Sequence, residues 1–219
     1  MNTGLLRVLI DPGRFFEDRM QDEPGLKMPA LIVLIYAIIS AVAAALMVNV
    51  IIDILPAEAQ AFAVFGIAIA VVGALIMGFL TWIVVAAVLH IISMLFKGEG
   101  AFTRTLEFTG YAFLPQAIGG IIGAAFSYRI ISGLTIPVVT DPEQIIMVTE
   151  ALAEMIAADP LTQIASLVGI LFVLWSANIL IFGMKHARNL STRDAVLTVG
   201  IPVALYIAYI LITLLGLIP

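Results

Sequence analysis

The sequence predicts an all-α integral membrane protein: a five-transmembrane-helix bundle with an amphipathic N-terminal segment and an extracytoplasmic amphipathic helix. Three observations carry that reading. Of 219 residues, 63% are hydrophobic and 11% charged, under half the share of about 25% that covers a soluble domain. Five apolar stretches, centred on residues 30–52, 62–96, 108–126, 161–182 and 195–218, reach or approach the roughly 20 helical residues that a bilayer core requires. The loops between them alternate between basic and non-basic, as the positive-inside rule demands.

Residues 1–29 form a polar segment of mixed charge that precedes the first apolar stretch. It is too long and too acidic for the leading region of a secretory signal, although Ala41–Val42–Ala43 has the look of a cleavage site. The first span is therefore read as retained. Within this segment Leu5, Leu6, Leu9 and Ile10 make an apolar stripe, followed after Pro12 by Phe15, Phe16 and Met20. Arg7, Arg14 and Arg19 lie among them, the pattern of a helix at a headgroup interface. Phe15 and Phe16 are the candidate interfacial or partner-binding residues, and a plain cap on the bundle is the alternative.

Residues 30–219 form the membrane domain. Pro29 stands where a helix tolerates proline, at its first position, and Asp53 ends the apolar run. Ala37, Ala41 and Ala45 repeat a small residue every fourth position, as do Gly119 and Gly123 in the third span. Such stripes let helices approach closely, within the chain or in a homo-oligomer. Asn49 and Asp53 lie one turn apart, as a helix end or a pair of cation ligands. The second stretch is longer than one crossing needs, so it tilts or extends beyond the hydrocarbon.

Polar residues inside spans are expensive and are functional candidates by default. His90 lies about two turns below the cytoplasmic surface. It is read as a structural residue bonded to a neighbouring helix, with a ligand or proton relay as the alternative. Asn178, inside the fourth span, is expected to find a partner within the bundle. Arg104 and Glu107 are spaced to pair locally, and Arg129 is placed to snorkel to headgroups. Gly98–Glu99–Gly100 reads as a flexible turn. Pro115 and Pro202 remove backbone donors inside spans, freeing the carbonyls of Tyr111 and Thr198.

Capping signals agree with the boundaries. Asp-Pro pairs at 11–12, 141–142 and 159–160 each place a capping carboxylate before proline. Ser191 with Asp194 is a variant capping box for the fifth span. Ile145, Val148, Leu152, Met155 and Ile156 share one face of an expected helix over 143–158, with Glu150 and Glu154 turned away. All the basic residues except Arg129 lie on one side of this arrangement. That side is the cytoplasm, so the N-terminus is expected inside and the C-terminus outside the cell membrane.

Composition and motifs exclude several functions. The net charge is −5 and the basic residues are scattered, which offers nothing to nucleic acid. With no cysteine, disulfide and thiolate chemistry are absent. There is no His-Glu-x-x-His, Gly-x-Ser-x-Gly or phosphate loop. No catalytic residue, metal site or cofactor is expected, and the chain reads as a non-enzyme.

The segment Gly98–Glu99–Gly100–Ala101–Phe102–Thr103–Arg104–Thr105, running into Gly110–Tyr111–Ala112–Phe113–Leu114–Pro115, resembles the Yip (Ypt-interacting protein) domain family, which shares a Gly-Tyr-x-x-x-Pro signature. Asp11–Pro12 with Phe15–Phe16 resembles the opening of its short prokaryotic members. Trp175 through Gly183, then His186, Leu190–Ser191, Ala195 and Pro202, resembles its closing run. The resemblance implies five spans and a cytoplasmic N-terminus. Eukaryotic relatives bind Rab-type GTPases in vesicle traffic, but their Asp-Leu-Tyr-Gly-Pro motif is not in this sequence, so GTPase binding is not carried over.

The candidate functional motif is Gly110, Tyr111 and Pro115. The expected role is a membrane scaffold or adaptor that contacts the bilayer and membrane or cytoplasmic proteins. The alternative is a small transporter or channel built on the proline interruptions.

Overall fold

The computed structural model describes residues 3–54, 57–134 and 144–217. Among them the secondary structure is entirely helical. Two short helices come first, α1 (Thr3–Ile10) and α2 (Pro12–Arg19). Between them Asp11 caps α2 by accepting from the Arg14 amide at 3.3 Å, with Pro12 in the first turn. An Arg7–Asp18 ion pair of 2.9 Å joins the two helices.

The long helices α3 (Lys27–Ile54) and α4 (Ala57–Leu95) follow and pack along one another. Next come α5 (Phe102–Tyr111) and α6 (Phe113–Ser132), which share one direction and are separated only at Ala112. Then come α7 (Gln144–Ala158), α8 (Pro160–Ala187) and α9 (Thr192–Leu214). Five helical stretches are long and apolar enough to cross a membrane: α3, α4, α5 with α6, α8 and α9.

The third of these stretches begins at Phe102, earlier than its apolar run indicates, and carries the Arg104–Glu107 ion pair inside the bundle. Pro115 has no amide to offer the Tyr111 carbonyl, and the ladder breaks there. The Ala112 amide instead closes a tighter turn on the Thr109 carbonyl at 3.1 Å. Pro202, by contrast, sits within a continuous α9.

Small residues set the helix spacing inside the chain. A side chain at Gly78 would meet the Ala37 Cβ at 2.6 Å, binding α4 to α3. At Gly119 it would meet the Phe172 ring at 2.6 Å, binding α6 to α8. Gly123 has nothing within 4 Å and takes no part. The caps at Asp159 and Ser191 form: the Leu161 amide donates to Asp159 at 2.7 Å, and the Asp194 amide to Ser191 at 3.1 Å. In α7, Leu152 is buried and Val148 and Ile156 half-buried, while Met155, Glu150 and Glu154 are exposed. The side chains of Asn49, Asp53 and Ile145, and the Asp141–Pro142 pair, lie outside the described residues.

The termini of α2, α4, α8 and α9 and the start of α5 gather at one end of the bundle, with most of the basic residues. This basic end is where the polar chemistry concentrates.

A candidate functional site at the basic end

Glu107 has no exposed side-chain surface, yet it accepts two charged hydrogen bonds. Arg19 Nε donates to its Oε1 at 2.7 Å, and Arg104 Nη1 donates to its Oε2 at 2.7 Å. A buried carboxylate is tolerable only when paired and bonded in this way. Arg104 also donates to the main-chain carbonyls of Arg19 at 3.3 Å and Asp22 at 2.5 Å, and lies 5.4 Å over the Phe108 ring. Arg19 in turn donates to Asp22 at 2.6 Å. Burial opposes the charge on Arg19, but the carboxylates of Glu107 and Asp22 outweigh it and hold the guanidinium above its ordinary range. The network fastens the end of α2 to α5.

Aromatic packing makes the second clasp. Phe16 is fully buried, its ring 4.5 Å from that of Phe108 and 6.3 Å from Tyr111. Phe15 is half-buried and sets its ring edge-on to Tyr111 at 4.9 Å. A side chain at Gly183 of α8 would lie 3.5 Å from the Phe16 ring. Phe16 therefore has no surface to offer a partner or a headgroup. It is part of the core, with Val8, Val33, Trp82 and Ile179. The physical reason is that Phe16 fills the space between α5 and α8 instead of lying outward.

Gly110 shows why its position lacks a side chain. A Cβ there would fall 2.5 Å from that of Pro29 and 3.0 Å from the Trp82 indole nitrogen. Trp82 donates that N–H to the Leu106 carbonyl at 2.8 Å, and Trp175 donates its own to the Leu9 carbonyl at 3.2 Å. Gly110 and Tyr111 thus lie together beneath the α1–α2 hairpin, with Pro115 one turn farther in.

His90 meets Thr105 through Nδ1 at 3.0 Å, between α4 and α5, with its ring edge-on to Phe102. Beside it, Arg188 grips the turn after α4. It donates Nε to Ser93 Oγ at 2.8 Å, Nη2 to the Gly98 carbonyl at 2.6 Å, and Nη1 to the Gly100 carbonyl. Burial lowers the pKa of this guanidinium. Gly100 has a φ of +121°, a conformation open to glycine. The 98–100 turn is pinned, where the glycines by themselves implied flexibility.

Asn178 departs from expectation. It is exposed on the outer face of α8 and makes no hydrogen bond to any described residue. Gln116 supplies polar contact between helices instead, donating to Ser176 Oγ at 3.1 Å. That pair borders a cavity of about 390 Å³ near Pro202, lined mainly by apolar side chains and by no charged one. Among the described residues no three His, Cys, Asp or Glu side chains are grouped to hold a metal.

Sequence reasoning gave no bonding role inside the bundle to Arg19, Arg188, Trp82 or Trp175. The signals were present but unspecific: a buried indole N–H needs an acceptor, and a guanidinium that leaves water needs a carboxylate or several carbonyls.

Over 124 residues the chain is 41% identical to an uncharacterized protein of Methanocaldococcus jannaschii, covering 57% of this chain and 88% of that one. No solved structure matches. Residues 6–214 match the Yip1 domain, nearly the whole length and including the Gly110, Tyr111 and Pro115 motif. This multi-pass membrane protein belongs to the Yip1 domain family.

Proposed function

We propose that the protein is a non-enzymatic membrane scaffold, with its basic end in the cytoplasm as the docking face and its C-terminus outside the cell. The observation that carries this reading is the outer surface of α1. Val8 is fully buried while Leu6 and Ile10 are 61% and 79% exposed, with Arg14 exposed nearby. The ion network and Phe16 hold this hairpin against α5 and α8, so the surface is presented on a rigid base. Apolar groups bordered by the Arg7–Asp18 and Arg14–Asp11 ion pairs suit a headgroup interface or an amphipathic partner segment. Leu6 and Ile10 take, with the half-buried Phe15, the role for which Phe16 is too deeply placed.

The test compares Leu6→Asp/Ile10→Asp with the unaltered chain in quantitative purification from native membranes. Recovery of a stoichiometric partner is expected to fall at least about tenfold, a loss of roughly 1.4 kcal/mol. An unchanged partner set in the folded double variant overturns the reading. The second reading, a small transporter, draws on the cavity beside Pro202 and the break at Ala112. Solute flux above that of empty vesicles, abolished by a bulky residue at Val203, would favour it over the scaffold.

A further inference from the structure

The cavity beside Pro202 is a crevice whose open side lies between α4 and α9. Its inner wall is buried: Thr109, Ala112 and Phe113 at the break between α5 and α6, with Ser176 and Ala177 of α8. Its rim is exposed, Val84 and Val88 of α4 by 49% and 41% and Tyr206 of α9 by 53%. Towards the basic end the crevice is closed. There Leu89, Ala195 and Val199, none more than 3% exposed, join α4, α8 and α9 in an apolar cluster with Met184 and Leu190. A solute in the water at that end meets this seal, whereas a molecule dissolved in the bilayer enters sideways.

The lining restricts what can enter. Its volume of about 390 Å³ falls in the range of roughly 300–1,000 Å³ usual for small-molecule sites. No charged residue lines it, so a phosphate or carboxylate head would find no counter-charge on leaving water. The walls are apolar apart from a few hydroxyls and one amide. Gln116 donates to Ser176 Oγ at 3.1 Å, yet the Gln116 carbonyl oxygen and the Ser176 hydroxyl proton bond no described residue. Acyl chains neither donate nor accept, so ordinary lipid tails would leave both groups unsatisfied. Trp175, next to Ser176, donates to the Leu9 carbonyl, which puts this polar pair level with the charged α1–α2 hairpin. Val173 and Tyr206 continue the wall from there, away from the basic end.

We propose that this crevice binds an uncharged long-chain amphiphile drawn from the bilayer, its hydroxyl head bonded by Gln116 and Ser176 and its apolar tail lying between α4 and α9. The Gln116 carbonyl accepts from such a hydroxyl, and Ser176 donates to its oxygen. With the head level with the hairpin, the tail runs along Val173 and Tyr206 into the hydrocarbon, the direction in which bilayer amphiphiles already lie. The uncharged lining selects against phospholipid and fatty-acid heads, and the two unsatisfied groups select against plain hydrocarbon. The inference goes beyond the docking face on α1 and does not depend on it. It requires no passage across the membrane, so it stands apart from the transporter reading as well.

Photo-labelling of the full chain in nanodiscs tests it. The probe is hexadecanol with a diazirine in its chain, set beside the same chain ending in a methyl group or in a carboxylate. The alcohol is expected to label α4 and α9 at the crevice, in competition with excess unlabelled hexadecanol. The other two probes should label there roughly three- to twentyfold less. Val84→Trp, at the exposed mouth where a larger side chain leaves the core undisturbed, should cut alcohol labelling at least about tenfold. Ile69→Trp, three turns along α4 and 72% exposed, should leave it unchanged. Gln116→Leu, folded by its thermal midpoint, should bring the alcohol down to the level of the hydrocarbon. Equal labelling by alcohol and hydrocarbon, or labelling indifferent to Val84→Trp, would mean that the crevice holds ordinary acyl chains and overturn the proposal. Preference for the carboxylate would overturn it too.

Discussion

Glu107 stands between two guanidinium groups with no exposed surface of its own, and the α2–α5 junction depends on it. Arg19 and Arg104 are themselves mostly enclosed, their side chains 24% and 10% exposed. Replacing the carboxylate with an amide would leave two cations with one neutral acceptor between them. Breaking a buried ionic group by removing one partner costs about 3–5 kcal/mol. Glu107→Gln is therefore expected to lower the thermal midpoint in detergent markedly and to release α2 to proteolysis. An unchanged midpoint would show that water, and not Glu107, satisfies the arginines.

At the scale of elements, close approach of helices distinguishes one glycine from another. Gly110 lets α5 settle against Pro29 at the start of α3 and against Trp82 of α4. A methyl group there overlaps two rigid side chains, and overpacking of this kind costs typically about 1–3 kcal/mol. Gly123 has open space around it, so alanine there gains helix propensity of roughly 0.8–1 kcal/mol. Gly110→Ala is expected to destabilise the protein and Gly123→Ala to leave it equal or more stable in the same unfolding assay. Equal effects would mean that α5 is not held where the contact at Pro29 places it.

For the whole molecule, the proposed orientation has a direct readout. Arg14→Cys and Ser132→Cys occupy exposed positions at opposite ends of the bundle. A membrane-impermeant maleimide applied to intact cells is expected to label Ser132→Cys alone, and to label Arg14→Cys only after lysis. Labelling in the reverse order would put the basic end outside and remove the cytoplasmic docking face.

The sequence by itself determined the class of molecule and the run of its helices. Length and polarity of a segment are local quantities, and lipid imposes one strong condition on them: every backbone group must be satisfied within the helix. Hence the five spans and the caps at Asp11, Asp159 and Ser191 were legible, as was the weak point that Pro115 makes at Tyr111. The tertiary structure decided which side chains meet. Phe16 and Leu6 look alike in an amphipathic stripe, yet one fills a gap between α5 and α8 and the other faces outward. His90 and Asn178 look alike as polar residues in spans, yet one meets Thr105 and the other meets nothing in the described chain. Which way a polar group points depends on helix rotation, and helix rotation is set by packing between segments as far apart as Arg19 and Glu107. No window along the sequence contains both.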